Sequence, residues 1–144
     1  MQNKDSIHLL KECDAGVKMA INSVDDVIDD VENEQLRKLL IESKGHHEKL
    51  RNEIHTLLDE YDSSEKDPNA MASLMSWVKT NSKLMMKHDD TVIADLMTSG
   101  CDMGVKSLHK YLNQYPNANH KVKDICNRLI SIEDALRKDL QTYL

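Results

Sequence analysis

Residues 13–18 read Cys13-Asp14-Ala15-Gly16-Val17-Lys18, and residues 101–106 read Cys101-Asp102-Met103-Gly104-Val105-Lys106. Five of the six positions are identical at an offset of 88, so the chain is read as two copies of one structural unit. The surroundings of each copy say what that unit is. Around the first, Leu10, Cys13, Val17, Ala20, Val24, Val27 and Val31 recur at alternating spacings of three and four, the stripe of an amphipathic helix over roughly residues 5–31. Asn33 follows as an N-cap, and Glu34 complements the positive end of the next helix. The stripe of that second helix is Leu36, Leu40, Ser43, His47, Leu50, Ile54, Leu57 and Tyr61. So short a connection makes the two helices antiparallel neighbours, and the repeated unit is a helical hairpin of about residues 5–63.

The second hairpin occupies about residues 89–144. Asp89 or Asp90 caps its first helix, which runs to about Leu112, and Asn113–Asn119, containing Pro116, breaks the chain before a last helix. Val122, Cys126, Leu129, Glu133, Leu136, Leu140 and Tyr143 reproduce the stripe of the second helix at an offset of 86. Between the hairpins, Asp67-Pro68 reads as an N-cap with proline at the first helical position. A crossover helix is expected within residues 64–88, its apolar face made by Met71, Leu74, Met75, Val78 and Met85. The expected fold is all-α, a single domain over residues 1–144.

Composition agrees with this class and narrows the function. Phe is absent and only 3% of residues are aromatic, against the aromatic pairing that builds sheets. The net charge of −6 supplies no basic footprint for nucleic acid. No apolar run approaches the roughly 20 residues of a membrane span, and Lys4, Asp5, Lys11 and Glu12 interrupt any signal-peptide core. Cys13, Cys101 and Cys126 form neither an even disulfide framework nor a Cys-x-x-Cys pair, which fits reduced thiols and a cytoplasmic protein.

Two hairpins joined by a long crossover give a ferritin-like topology. The chain resembles the ferritin-like superfamily, and more narrowly a bacterial ferritin-like four-helix-bundle family of unknown function. The likeness is carried by the stretch from Met71 to Trp77, by Ile93-Ala94-Asp95-Leu96 and by the motif at Cys101–Gly104. The wider superfamily implies a di-metal centre built from one carboxylate on each of two helices and Glu-x-x-His on each of the other two. Here Glu42 precedes His46 by four residues and His47 by five, and Glu133 is followed by Leu136 where the histidine would stand. The pattern for a standard di-iron centre is not met.

One polar level remains inside the expected core. His47 and Glu133 occupy matching positions on the second and fourth stripes. Pivoting about the turns near Glu32 and Pro116 places Asp102 within about a helical turn of Glu133 and Val17 beside His47. The candidate metal-ligating set is therefore Asp14, His47, Asp102 and Glu133, with Glu42, His46, Cys13 and Cys101 close by. A set of carboxylates with one histidine suits iron, manganese or zinc. Each residue also has a plainer role. The cysteines are small buried hydrophobes. Asp14 and Asp102, one position off their stripes, are solvated or pair with a lysine one turn away. His47 and Glu133 satisfy each other as a buried pair. The acidic run Asp25–Glu32 is a solvated face, and Gly16 and Gly104 reflect close helix packing.

Two functions follow. The first is a structural or interaction bundle without a standard di-iron site. The alternative is a metal-binding protein with a nonstandard core site, linked to iron or oxidative stress. No cofactor is indicated by any motif. Self-association, with a dimer favoured, is expected through the crossover helix, with its apolar Met71, Leu74, Met75, Trp77 and Val78, or through an adjacent bundle face.

Overall fold

The computed structural model describes residues 4–61 and 89–144. Four helices account for nearly all of them: α1 (Lys4–Val27), α2 (Glu34–Glu60), α3 (Asp90–Gln114) and α4 (His120–Leu140). Short 3₁₀ turns at Ile28–Asp30 and Gln141–Tyr143 extend α1 and α4. There is no strand among the described residues. The expected crossover, its Asp67 cap and the apolar face from Met71 to Met85 lie outside them.

The apolar stripes become the core. Along α2, Leu36, Leu40, Ser43, His47, Leu50, Ile54 and Leu57 are buried, and along α4 Val122, Cys126, Leu129, Glu133, Leu136 and Leu140 are buried. Each large aliphatic side chain fully withdrawn from water contributes about 1.5–3 kcal/mol, which offsets the entropy of ordering these helices. Ala20 departs from its stripe and is only half-buried, while Ile21 takes the interior position beside it.

Capping fixes the helix starts. The Asn33 side chain accepts from the amides of Gln35 and Leu36, and Asp89 accepts from Val92 N–H. Asp89 is thus the cap of α3, leaving Asp90 free for another task. Its two carboxylate oxygens accept from the backbone amides of Glu32 and Asn33, both at 2.9 Å, and so clamp the α1–α2 turn to the start of α3. The opposite end of the bundle has an analogous clamp. Asp5 accepts from Asn117 N–H and Ser6 Oγ from Asn119 N–H, fixing the α3–α4 turn to the start of α1. Asn119 in turn caps α4 by accepting from Val122 N–H. The sequence gives Asn113–Asn119 only as a break, yet Asn119 stands 86 residues after Asn33, the offset of the two stripes.

The contacts set the helix directions. Asp14 meets His55, and His8 stacks near Tyr115 with ring centroids 5.4 Å apart while Asp90 meets the far end of α1, so α2 and α3 both run antiparallel to α1. Arg128 makes a bidentate bridge to Glu53 at 2.9 Å, and Asn119 donates to Tyr61, so α4 runs antiparallel to α2. Around the bundle the order is α1, α2, α4, α3, with every neighbour antiparallel. The chain ends α2 at one end of the bundle and enters α3 at the other, which a short turn cannot achieve. One diagonal is tight: a β-carbon on Gly16 of α1 would lie 3.7 Å from Leu129 Cδ2 of α4.

The core is divided along its length. One apolar cluster gathers residues such as Leu10, Ile54, Leu108 and Leu129, and a second gathers Val27, Leu40, Ile93 and Leu140. Between them in sequence on α2 and α4 lie three buried polar residues, Ser43, His47 and Glu133.

Candidate functional site

His47 is 1% exposed and Glu133 7% exposed, so neither polar group can be satisfied by bulk water. Each must find a partner within the protein. They find each other: His47 Nε2 lies 2.7 Å from Glu133 Oε1, across the α2–α4 interface. The other ring nitrogen, Nδ1, lies 2.7 Å from the Ser43 carbonyl one turn earlier on the same helix. A carbonyl only accepts, so Nδ1 carries a proton. With a carboxylate on Nε2, the arrangement favours the doubly protonated imidazolium. Burial opposes that charge, but the Glu133 carboxylate and the Ser43 carbonyl outweigh it and hold His47 above the usual histidine value.

Cys101 and Gly104 of α3 close over the carboxylate. Burial first, and then the Glu133 charge and its hydrogen bond, push the Cys101 thiol far above the ordinary range, so it stays protonated. A β-carbon on Gly104 would lie 3.6 Å from Glu133 Oε2, an ordinary van der Waals distance. Gly104 therefore lines the carboxylate without being sterically required there.

The other two members of the expected ligand set lie elsewhere. Asp14 is fully buried at the α1–α2 interface, with Oδ1 3.0 Å from His55 Nε2. Its Oδ2 is 3.1 Å from Lys18 Nζ, an ion-pair contact without the direction of a hydrogen bond. The lysine one turn away was foreseeable; the burial and His55 were not. Position alone on the helix makes Asp14 a flank residue, and its burial comes from the tertiary packing around that flank, where His55 of α2 meets it. Asp102 is its sequence counterpart but is exposed, with Oδ1 3.6 Å from Arg137 Nη1. That arginine stands one turn after Glu133 on α4, at the surface of the α3–α4 hairpin.

The four residues thus form one pair and two separate neighbourhoods. Among the described residues no group of three or more His, Cys, Asp or Glu side chains is gathered to hold a metal ion. The donor chemistry agrees: His47 has both nitrogens committed, Glu133 gives one oxygen to it, and Asp14 is already countered by a cation. These residues as arranged do not fit a di-metal centre.

Cys13 and Cys126, both fully buried, meet across α1 and α4. Hydrogen bonding between the two thiols, followed by burial, raises Cys13, while the same bond lowers Cys126. Cys126 also donates to the Leu108 carbonyl at 3.9 Å. All three cysteines are free thiols in the core.

The class defined by these observations is an all-α antiparallel four-helix bundle with a buried histidine–glutamate pair. A family model described as a domain of unknown function (DUF2383) matches residues 5–114, and the chain belongs to that family. The matched stretch takes in α1, α2 and α3 and ends before α4, so it includes His47 but not Glu133. No curated protein and no solved structure matches. Among the described residues no helix is long and apolar enough to cross a membrane.

Proposed function

We propose that the protein is a structural or interaction bundle of ferritin-like topology, forming a single domain, in which the His47–Glu133 pair fixes helix register in place of metal chemistry. The observation that carries this reading is the saturation of His47: one ring nitrogen serves the Ser43 carbonyl and the other the Glu133 carboxylate. A metal ligand needs a free nitrogen lone pair, and a 2.7 Å separation leaves no room for an ion between the two groups. The ring order of antiparallel neighbours, with α2 and α3 on the long diagonal, supports the ferritin-like topology. A cytoplasmic setting suits three buried free thiols. Partner binding in this reading includes a second copy of the chain, and sedimentation at high concentration tests it, a persistent monomer counting against a dimer.

The test of the site is a set of thermal melts of the parent, His47→Ala and Glu133→Ala, each with and without iron, manganese or zinc. A ligand that binds only the folded state raises the melting temperature as it is added. The structural reading expects both variants to be destabilised and the parent to ignore the metals. Metal-dependent stabilisation of the parent that vanishes in both variants would instead support the metal-binding alternative drawn from Asp14, His47, Asp102 and Glu133.

A further inference from the structure

Helices α1 and α4 run parallel across a diagonal of the bundle, and two contacts fix their register. At the start of α1, Ser6 Oγ accepts from Asn119 N–H, 113 positions away in the chain. Further along, Gly16 faces Leu129 at the same separation, with 3.7 Å from a glycine β-carbon to Leu129 Cδ2. Cys13 and Cys126 stand between these two points, again at the separation that Ser6 and Asn119 set, so the register alone puts them opposite each other. Both are buried in one apolar cluster, and their thiols hydrogen-bond to each other.

Two thiols in contact have a reaction that a single buried thiol lacks. The sulfur of one can displace a leaving group from the other, and the disulfide that results adds no atom to a packed core. Its bond is about 2.05 Å long, so the sulfurs close up from hydrogen-bond contact. Cys126 is the first to react: the hydrogen bond from Cys13 lowers its thiol, while that bond and then burial raise Cys13. Cys101 has no such neighbour. It lies in the other apolar cluster, where burial and Glu133 keep its thiol protonated. That cluster carries Leu40 where the repeat offset of 86 places the counterpart of Cys126.

We propose that Cys13 and Cys126 are a modification site, a dithiol that a hydroperoxide closes to an intramolecular disulfide bracing α1 against α4. With hydrogen peroxide, the Cys126 thiolate attacks one peroxide oxygen and the O–O bond breaks. A sulfenic acid forms on Cys126, and the departing oxygen leaves as water with the proton that Cys126 gave up. The Cys13 sulfur then attacks the Cys126 sulfur, the S–O bond breaks, and a second water leaves with the Cys13 proton. Two electrons pass from the thiols to the peroxide. Both sulfurs are buried, so peroxide reaches them through local opening of the bundle and reacts more slowly than at an exposed thiol. In a reducing setting the pair rests as free thiols, its state in this structure, and a thiol reductant restores it. The site goes beyond the register role of His47 and Glu133 and shares no residue with it.

The test treats the full chain with hydrogen peroxide, denatures it in N-ethylmaleimide and maps its peptides by mass spectrometry. The expected product is a monomer about 2 Da lighter before labelling, with maleimide on Cys101 alone and a cross-linked peptide pair carrying Cys13 and Cys126. The closed loop is longer than about 100 residues, where a cross-link restrains the unfolded chain strongly, so the urea midpoint should rise by about 1 M and return with dithiothreitol. Cys126→Ala should form no intramolecular bond and show no peroxide-dependent rise. All three cysteines labelled after peroxide, a disulfide that includes Cys101, overoxidation of Cys13 or Cys126 in place of the bond, or an unchanged midpoint in the cross-linked chain would each overturn the proposal. None of those outcomes touches the metal-free melts of His47→Ala and Glu133→Ala in reductant, so failure here is distinguishable from failure of the structural reading.

Discussion

The two hairpins each bury one carboxylate, and each carboxylate meets a histidine of α2, yet they do so from unlike positions. In the first hairpin the buried acid is Asp14 of the repeated motif, held by His55 and Lys18. In the second the motif's own Asp102 lies at the surface beside Arg137, and the buried acid is Glu133 on the following helix, held by His47. A repeated sequence has therefore not kept a repeated environment. The cause is packing. The Asp14 flank is enclosed where α1 meets α2, against His55, whereas the Asp102 flank stays at the surface.

The strongest way to break this comparison is to remove one buried partner. Glu133→Ala leaves His47 Nε2 without its partner in the interior, and His47→Ala leaves a carboxylate with no donor from α2; each should cost about 3–5 kcal/mol. Urea denaturation measures the loss, and a cost below about 1 kcal/mol at either position would mean that the pair is not a buried ion pair in solution.

Asp14→Ala and Asp102→Ala sharpen the contrast within the motif itself. The first removes a fully buried carboxylate with two charged or polar partners and should cost about 2 kcal/mol. The second removes an exposed one whose nearest cation is 3.6 Å away, and a change within about 0.5 kcal/mol is expected. Equal costs in matched urea titrations would restore the symmetry that the sequence suggests.

The pH dependence of stability tests the His47 half of the pair. His47 is held above its ordinary value, so its contribution is fully present below the unfolded histidine pKa of about 6.5 and is lost as pH rises through the folded value. Stability of the parent should therefore fall across that window, and His47→Met should flatten the fall. Denaturation midpoints taken at intervals from about pH 5 to 9 read this directly, that range spanning the histidine titration.

The smallest effects are expected at the glycines. A β-carbon would sit at ordinary contact distance at both Gly16 and Gly104, 3.7 and 3.6 Å from its nearest neighbour. Gly16→Ala should thus gain up to about 1 kcal/mol of helix propensity, and Gly104→Ala rather less because its methyl faces a carboxylate oxygen. Melting temperatures decide it: destabilisation at either site would show that close packing requires the glycine.

The fold was legible because its signals are local and redundant. Asn33 and Asp89 cap as their types demand, and Leu36 to Leu57 bury at the spacing that a helix imposes. His47 and Glu133 were legible as a pair because each interrupts an apolar stripe at a matching position. Asp14 was not, since its burial depends on tertiary packing around α1, which no helical period encodes. His55 gave no signal either, being a half-exposed residue on the edge of α2 whose partner is 41 positions away. Asp5 and Ser6 likewise read as ordinary helix-start residues, and their grip on the α3–α4 turn is a tertiary fact.

The central claim is that His47 and Glu133 act as one structural unit, and a double-mutant cycle tests it most directly. Urea denaturation of the parent, His47→Leu, Glu133→Leu and the double variant gives the coupling between them. The account predicts that each single variant strands a buried polar group, while the double replaces the pair with apolar side chains and loses much less than the sum of the two, ending near the parent or above it. Additive losses in the double variant would contradict it.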